Sequence, residues 1–284
     1  YSQAACLGDI TGGISYYKFI EDLDAHFDER AQETIGRLEK LTRQIFTPDR
    51  LLVSYTADEE SFSGLEEPLS AFIERLYPGG QADAGRFLVP VKKNEGFMTS
   101  SGVQYVAQCG SFRRAGYAYT GALKILKMIL SYDYLWIQLR VKGGAYGCMS
   151  GFSRSGDGYF ASYRDPHLKS TLEVYRGVPD YLRSFAADER EMTKYIIGTI
   201  SDMDVPLTPS ARGARSLAAY LCHVTEEMIQ RERDQVVTAQ PEDIRALAPL
   251  VEAILSDECI CVIGGAGKCR EDGGELMELC NLFE

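Results

Sequence analysis

The chain has 284 residues, of which 45% are hydrophobic and 25% are charged. A chain of this length can bury a substantial core in one large domain or two smaller ones, and its composition excludes an intrinsically disordered protein. The net charge of −11 argues against nucleic-acid or membrane partners, because both call for basic surfaces. No apolar run approaches the roughly 20 residues that a membrane span requires.

The first third of the chain is predicted to be mostly helical. Apolar residues recur every three or four positions over residues 14–46, which predicts one long amphipathic helix or a broken pair. Residues 51–55 predict a short strand, and a second helix follows over residues 65–76. One strand is too little sheet for an independent α+β domain. We therefore interpret residues 1–78 as the C-terminal remnant of a preceding α+β domain and the chain, which opens at Tyr1, as a piece of a longer protein.

A glycine-rich linker is predicted at residues 79–86, because its residues are small and polar. A complete domain follows over residues 87–270, and residues 271–284 are interpreted as a tail. The order of strands, a helix, strands, several helices and a strand predicts an α+β domain with helices packed on one face of a largely antiparallel sheet. Its predicted elements are strands at 87–91, 103–112, 145–152, 158–163 and 258–263, and helices at 120–139, 168–185 and, in several pieces, 188–255.

Residues 133–152 combine two groups that suit acyl-transfer chemistry. An apolar helical run ends on Arg140 and Lys142, breaks at Gly143-Gly144, and is followed by a strand that carries Tyr146. A guanidinium at a helix end and a phenol just past a glycine turn can face one point, and both are hydrogen-bond donors at pH 7. Such donors suit a carbonyl oxygen that gains negative charge. The alternative is a structural corner with a surface arginine and a core tyrosine, since glycine pairs commonly mark corners.

The run Arg-Val-Lys-Gly-Gly-Ala-Tyr-Gly at 140–147, after Asp-Tyr-Leu-Trp at 133–136, resembles the C-terminal half of pitrilysin/insulinase-type zinc metallopeptidases, the inverzincins. The glycine pair and the six-residue spacing from arginine to tyrosine resemble the presequence-protease branch. The resemblance extends from about Ile14 to about Gly267. It implies two halves that close around an unfolded peptide, each built from tandem related α+β domains.

The resemblance also implies roles for residues of this chain. Arg140 would anchor a backbone carbonyl of the substrate, and Tyr146 would donate a hydrogen bond to the oxyanion. Zinc would be bound by an inverted His-x-x-Glu-His motif in the missing N-terminal half, which is the implied partner together with peptide substrates. The chain alone is therefore expected to be inactive.

No zinc ligands are expected in this chain. Its three histidines are His26, His167 and His223. The sequence closest to an inverted zinc motif, His26-Phe27-Asp28-Glu29-Arg30, has an arginine in place of the second histidine, and a guanidinium cannot bind a cation. No cofactor is expected either, because the glycine-rich run ending at Gly267-Lys268 lacks the first glycine and the Ser or Thr of a phosphate-binding loop.

The eight cysteines have irregular spacing, and several lie in apolar surroundings such as Cys259 and Cys261. They predict buried thiols in the cytoplasm or another reducing intracellular compartment rather than disulfides. Two other functions remain open for the chain. It could be a non-catalytic scaffold or binding subunit that kept the fold and lost the zinc site, or a free-standing module that captures basic peptides.

Overall fold

The computed structural model describes residues 2–79 and 88–282, which divide into two compact units. The sheet unit contains the described residues of Pro90–Val205 and Glu226–Glu284, and the helical unit contains those of Gln3–Val89 and Pro206–Thr225. The predicted linker lies, apart from Gly79, outside the described residues. None of the helices in the described part is both long enough and apolar enough to span a membrane.

Residues 14–46 of the helical unit form a broken pair of helices, one of the two arrangements predicted for them. The break falls at His26, which ends one helix and precedes the next. The strand predicted at 51–55 is wrong, because no strand in the described part of the chain lies beside these residues to accept their backbone hydrogen bonds. The first five α-helices of the helical unit are α1 Gln3–Gly12, α2 Ile14–Ala25, α3 Phe27–Ile45, α4 Glu59–Phe62 and α5 Glu66–Ile73, with a 3-10 turn at Pro48–Arg50.

The sheet unit is built on one open, six-stranded mixed sheet in the order β3-β4-β2-β5-β1-β6. Three of its five strand pairings are antiparallel, and β1 runs parallel to both β5 and β6. This arrangement confirms the predicted α+β fold with a largely antiparallel sheet. The strands are β1 Glu95–Thr99, β2 Gln104–Ser111, β3 Gly147–Phe152, β4 Asp157–Asp165, β5 Cys259–Gly265 and β6 Glu278–Asn281.

Two predictions about the edges of this domain need correction. Of the strand predicted at 87–91, Phe87 lies outside the described residues and 88–91 form no strand; the first described strand begins at Glu95, where the chain pairs with β5. Residues 271–284 contain β6, so they are not only a tail. Asn94 links this end of the chain to the sheet. Its carbonyl accepts from the Glu278 N–H at 2.8 Å and its Nδ2 donates to the Leu276 carbonyl at 3.2 Å. Its Oδ1 accepts from the Ile260 N–H of β5 at 3.0 Å.

The helices predicted at 120–139, 168–185 and 188–255 are present, with two breaks, and a further helix at Ala266–Gly273 was not predicted. The helix predicted at 168–185 divides at Gly177, and the one predicted at 120–139 ends at Tyr132 before a π-helical segment, Trp136–Lys142. A capping box between Asp188 and Glu191 opens α9. The helices are α6 Ala122–Tyr132, α7 Lys169–Arg176, α8 Val178–Arg183, α9 Glu189–Met203, α10 Pro209–Leu221, α11 Glu226–Val237, α12 Pro241–Arg245, α13 Ala248–Ser256 and α14 Ala266–Gly273, of which α10 belongs to the helical unit.

The core lies between one face of the sheet and helices α6, α7 and α13. Side chains of β2 alternate accordingly: Val106 and Gln108 are buried, whereas Tyr105 on the opposite face is exposed. The predicted apolar stripe of α6 is buried, namely Leu123, Leu126, Ile129 and Leu130. Tyr175 on α7 is also buried and donates its hydroxyl hydrogen to the Val106 carbonyl at 3.0 Å. Tyr105 therefore lies on the face of β2 opposite this core.

Candidate functional site: the Arg140–Tyr146 corner

Arg140 lies in the π-helical segment Trp136–Lys142, between α6 and β3. π-Helices are rare and frequently occur at functional sites. Leu139 is buried and anchors this segment in the core, whereas the next residue, Arg140, is exposed. The local winding thus keeps the guanidinium at the surface while its neighbour packs inside.

Both residues of the glycine pair are required by the turn that follows. Gly144 has φ +77°, a backbone conformation that costs other residues roughly 1–2 kcal/mol. A Cβ on Gly143 would lie 2.6 Å from the Leu139 carbonyl oxygen. The turn is closed by hydrogen bonds from the Gly144 N–H to the Arg140 carbonyl at 3.1 Å and from the Ala145 N–H to the Leu139 carbonyl at 2.9 Å. The chain therefore reverses directly beside Arg140.

The turn brings the two predicted site residues together. The Arg140 Cζ atom lies 5.4 Å from the centre of the Tyr146 ring, and its Nη1 donates to the Tyr146 carbonyl at 2.5 Å. The Tyr146 N–H in turn donates to the Tyr163 and Arg164 carbonyls of β4. Tyr146 is 60% exposed, so it is not the core tyrosine of a purely structural corner. The guanidinium and the phenol share one exposed surface.

Four further aromatic or cationic residues extend this corner, and none of them was predicted from the sequence. Trp136 lies under the Arg140 guanidinium, with 4.3 Å from Cζ to the ring centre. The Tyr163 ring lies 5.7 Å from the Tyr146 ring and 5.2 Å from the Tyr105 ring, both edge to face. Arg164 lies over the rings of Tyr146 and Tyr163.

The sequence offered only a partial signal for these residues. Trp136 stands one helical turn before Arg140, so it could have been placed beside it. Tyr105 and Tyr163 become neighbours only through the pairing of β2 with β4, which joins segments that are distant in the chain.

The corner contains a cysteine, but not an activated one. Cys148 lies two residues beyond Tyr146 in β3. Burial raises the pKa of its thiol to about 11, although the Arg140 charge acts in the opposite direction. Because the thiolate is the nucleophilic form, Cys148 is protonated at neutral pH and is not poised as a nucleophile.

No metal-binding cluster occurs near these residues. Across residues 2–79 and 88–282, no group of three or more His, Cys, Asp or Glu side chains could hold a metal ion. His26 lies in the helical unit between α2 and α3, its ring nitrogen 3.0 Å from the Asp22 carbonyl oxygen. The guanidinium and phenol donors of the corner suit hydrogen bonding to, and charge stabilisation of, a carbonyl oxygen.

A family model described as the PreP C-terminal domain matches residues 94–265, which is more than half of the chain. The chain belongs to this family. The predicted resemblance to presequence proteases is thereby confirmed, and the matched range includes the whole Arg140–Tyr146 corner. The chain is accordingly a peptidase C-terminal domain of the presequence-protease type.

Curated relatives agree with this assignment. Protein HypA of Clostridium perfringens (strain 13 / Type A) is 40% identical over 260 residues, which cover 92% of this chain and 26% of that protein. Presequence protease 1, chloroplastic/mitochondrial, of Arabidopsis thaliana is 33% identical over 284 residues, which cover 99% of this chain and 26% of that protein. The chain thus spans about a quarter of the length of the curated relatives it matches.

The fold is also shared with a solved structure. The crystal structure of a protease from Helicobacter pylori aligns with a TM-score of 0.50 at 15% sequence identity, over 73% of this chain and 52% of that one. At this identity the likeness concerns the fold alone.

Proposed function

We propose that the chain is the C-terminal part of a zinc-dependent oligopeptidase that degrades unfolded peptides in a closed chamber. The observation that carries this proposal is the exposed pairing of Arg140 with Tyr146, 5.4 Å from guanidinium carbon to ring centre, inside the segment matched by the family model. The names of the relatives, Presequence protease 1 among them, support a peptidase.

Arg140 holds a backbone carbonyl of the substrate peptide. A guanidinium carries five N–H donors in a planar fork, and the bond to the Tyr146 carbonyl uses one of them. The guanidinium lies over the Trp136 and Tyr146 rings, which attract the cation and restrict its movement. The guanidinium is therefore positioned before the peptide arrives.

Tyr146 donates its hydroxyl hydrogen to the carbonyl oxygen as negative charge develops on it. Its backbone is held on both sides, by Arg140 at its carbonyl and by β4 at its N–H, so the exposed ring projects from a rigid base. Donors aimed at developing charge stabilise the transition state without reorganising.

Zinc and a glutamate base belong to the N-terminal half in this proposal, outside this chain. Zinc bound there supplies a Lewis acid that activates water. The isolated chain is consequently expected to be inactive and to regain peptidase activity only with its N-terminal partner. A preceding segment without His-x-x-Glu-His would contradict the proposal and favour the non-catalytic scaffold.

The compartment proposed for this enzyme is a reducing one. No disulfide links any of the eight cysteines, all of which lie in the described residues. The Arabidopsis relative is named as chloroplastic/mitochondrial. Native protein isolated with an intramolecular disulfide would argue against this assignment.

The test of the proposed function is Tyr146→Phe in the full-length enzyme. Loss of one oxyanion donor typically costs about 10²–10³ in turnover, so kcat is expected to fall by that factor. Tyr132→Phe is the matched control, because Tyr132 is also exposed in the sheet unit, at the end of α6, and should leave kcat unchanged. Unchanged turnover in a folded Tyr146→Phe enzyme would remove Tyr146 from the mechanism.

A further inference from the structure

Arg164 occupies an irregular position in β4. Gln104 pairs with Asp165 and Val106 with Ser162, so two residues, Tyr163 and Arg164, lie opposite the single Tyr105. This is a β-bulge, in which one strand carries an extra residue. Arg164 has φ +48°, a conformation that residues other than glycine rarely adopt.

The bulge changes the side of the sheet on which Arg164 lies. In a regular strand, Arg164 would share a face with Phe160 and Ser162, which are buried against the helices. Instead its side chain is exposed, and its Cζ lies 5.6 Å from the Tyr163 ring centre and 5.8 Å from that of Tyr146. Strained backbone of this kind concentrates at functional sites.

Hydrogen bonds hold the bulge in place. The Arg164 carbonyl accepts from the Tyr146 N–H at 3.3 Å. The neighbouring carboxylate, Asp165, is 1% exposed and accepts from the His167 N–H at 2.9 Å and from the Thr171 hydroxyl at 2.8 Å. Asp165 thus faces the interior, away from the guanidinium of Arg164.

The result is a local concentration of positive charge in an acidic chain. Arg140 and Arg164 both lie within 6 Å of the Tyr146 ring, and neither forms an ion pair with a carboxylate among the residues that the structure describes. The pKa of the Arg164 guanidinium is raised, mainly by hydrogen bonding to Tyr105 and secondarily by electrostatic interaction with Tyr163. Two guanidinium groups on one exposed surface, in a chain of net charge −11, suit an anionic ligand.

We propose that Arg164 is a further substrate-binding residue, which binds a carboxylate of the peptide beside the carbonyl held by Arg140 and Tyr146. The carboxylate belongs either to an acidic side chain near the cleaved bond or to the C-terminus of the peptide. A guanidinium fork matches a carboxylate with two parallel hydrogen bonds. The assignment rests on the proposed peptidase function, because it supplies the peptide that Arg164 contacts.

The experiment compares Arg164→Asn and Arg164→Lys in the full-length protein. Asparagine tolerates positive φ and so preserves the bulge while removing the guanidinium, and lysine keeps the charge without the fork. Arg176→Asn is the matched control, since Arg176 is an exposed arginine on α7 of the same unit. The probes are one fluorescent peptide with Glu near the cleaved bond, its Gln counterpart, and the C-terminal amide of each.

For peptides that carry the recognised carboxylate, Arg164→Asn is expected to raise the Kd, measured by fluorescence anisotropy, about tenfold. Where such a peptide is cleaved, KM should rise by the same factor and kcat should be unchanged. Arg164→Lys should recover part of the loss, and Arg176→Asn should match wild type. If Arg164→Asn weakens binding of the Glu peptides but not of the Gln peptides, the recognised carboxylate is an acidic side chain. If it weakens binding of the free acids but not of the amides, the recognised carboxylate is the C-terminus.

Equal effects on all four peptides, or no effect, would overturn the proposal. A full-length enzyme that binds these peptides without cleaving them would contradict the peptidase function, while the Kd values would still decide the role of Arg164.

Discussion

Gly143 and Gly144 determine whether the phenol of Tyr146 reaches the guanidinium of Arg140. The first allows the chain to pass close to the Leu139 carbonyl, and the second reverses its direction through positive φ. The sequence predicted this corner because a glycine pair is a local signal. It did not predict that the Arg140 guanidinium would also bind the Tyr146 carbonyl, a contact that depends on the three-dimensional path of the turn.

We expect Gly144→Ala to destabilise the sheet unit by about 1 kcal/mol, because a Cβ at φ +77° is strained even where space is available. Chemical denaturation measures the loss, and peptidase activity of the full-length enzyme should fall with it. Gly102→Ala is the control, since a Cβ there meets nothing within 4 Å and the backbone is not at positive φ. Equal stability of the two variants would contradict a conformational requirement at Gly144.

At the scale of elements, α3 stands out because its apolar side chains are exposed. The helix has no buried residue, and Leu38 is 57% exposed. Among the described residues of the helical unit, only Thr47 is buried. An apolar helical stripe normally faces a core. We therefore propose that residues 1–78 are the end of a preceding domain whose other parts cover α3 in the longer protein, and that a complete domain follows them.

In the full-length protein, Leu38→Asp should lower the melting temperature by several degrees, because it places a charge in a buried contact. Gln32→Asp adds the same charge at an exposed polar position of the same helix and should change the melting temperature little. Equal melting temperatures for the two variants would show that the Leu38 side of α3 faces solvent.

At the scale of the whole molecule, the partly buried thiol of Cys109 links stability to pH. Burial, together with the neighbouring thiols of Cys259 and Cys261, raises the pKa of Cys109 to about 12. In the unfolded chain a thiol titrates near pH ~8.5, so only the unfolded state releases this proton between pH ~8.5 and 12. The contribution of Cys109 to the free energy of unfolding is therefore fully present below pH ~8.5 and is lost as the pH rises toward 12.

We expect the free energy of unfolding, measured by urea titration, to fall between pH 8.5 and 10.5. Cys109→Ala should reduce this decline, since it removes one of the groups that titrate differently in the two states. Cys222→Ala, at an exposed cysteine, should leave the decline as in wild type. An identical pH profile for wild type and Cys109→Ala would exclude this linkage.

The sequence by itself determined the features encoded within one or two turns of chain. These are the amphipathic helices, the glycine corner, and the motif at 140–147 that carries the family resemblance. Helix periodicity, caps and turns depend on neighbours only a few residues away, so their signals are readable locally.

Tertiary structure decided everything that depends on a distant partner. Residues 51–55 form no strand because none of the described strands lies beside them, whereas 278–281 form one because β1 lies beside them. Pairing of β2 with β4 brings Tyr105 to Tyr163, and the bulge in that pairing brings Arg164 to the rings of Tyr163 and Tyr146. A strand needs a neighbour to satisfy its backbone hydrogen bonds, and that neighbour can be more than a hundred residues away in the chain.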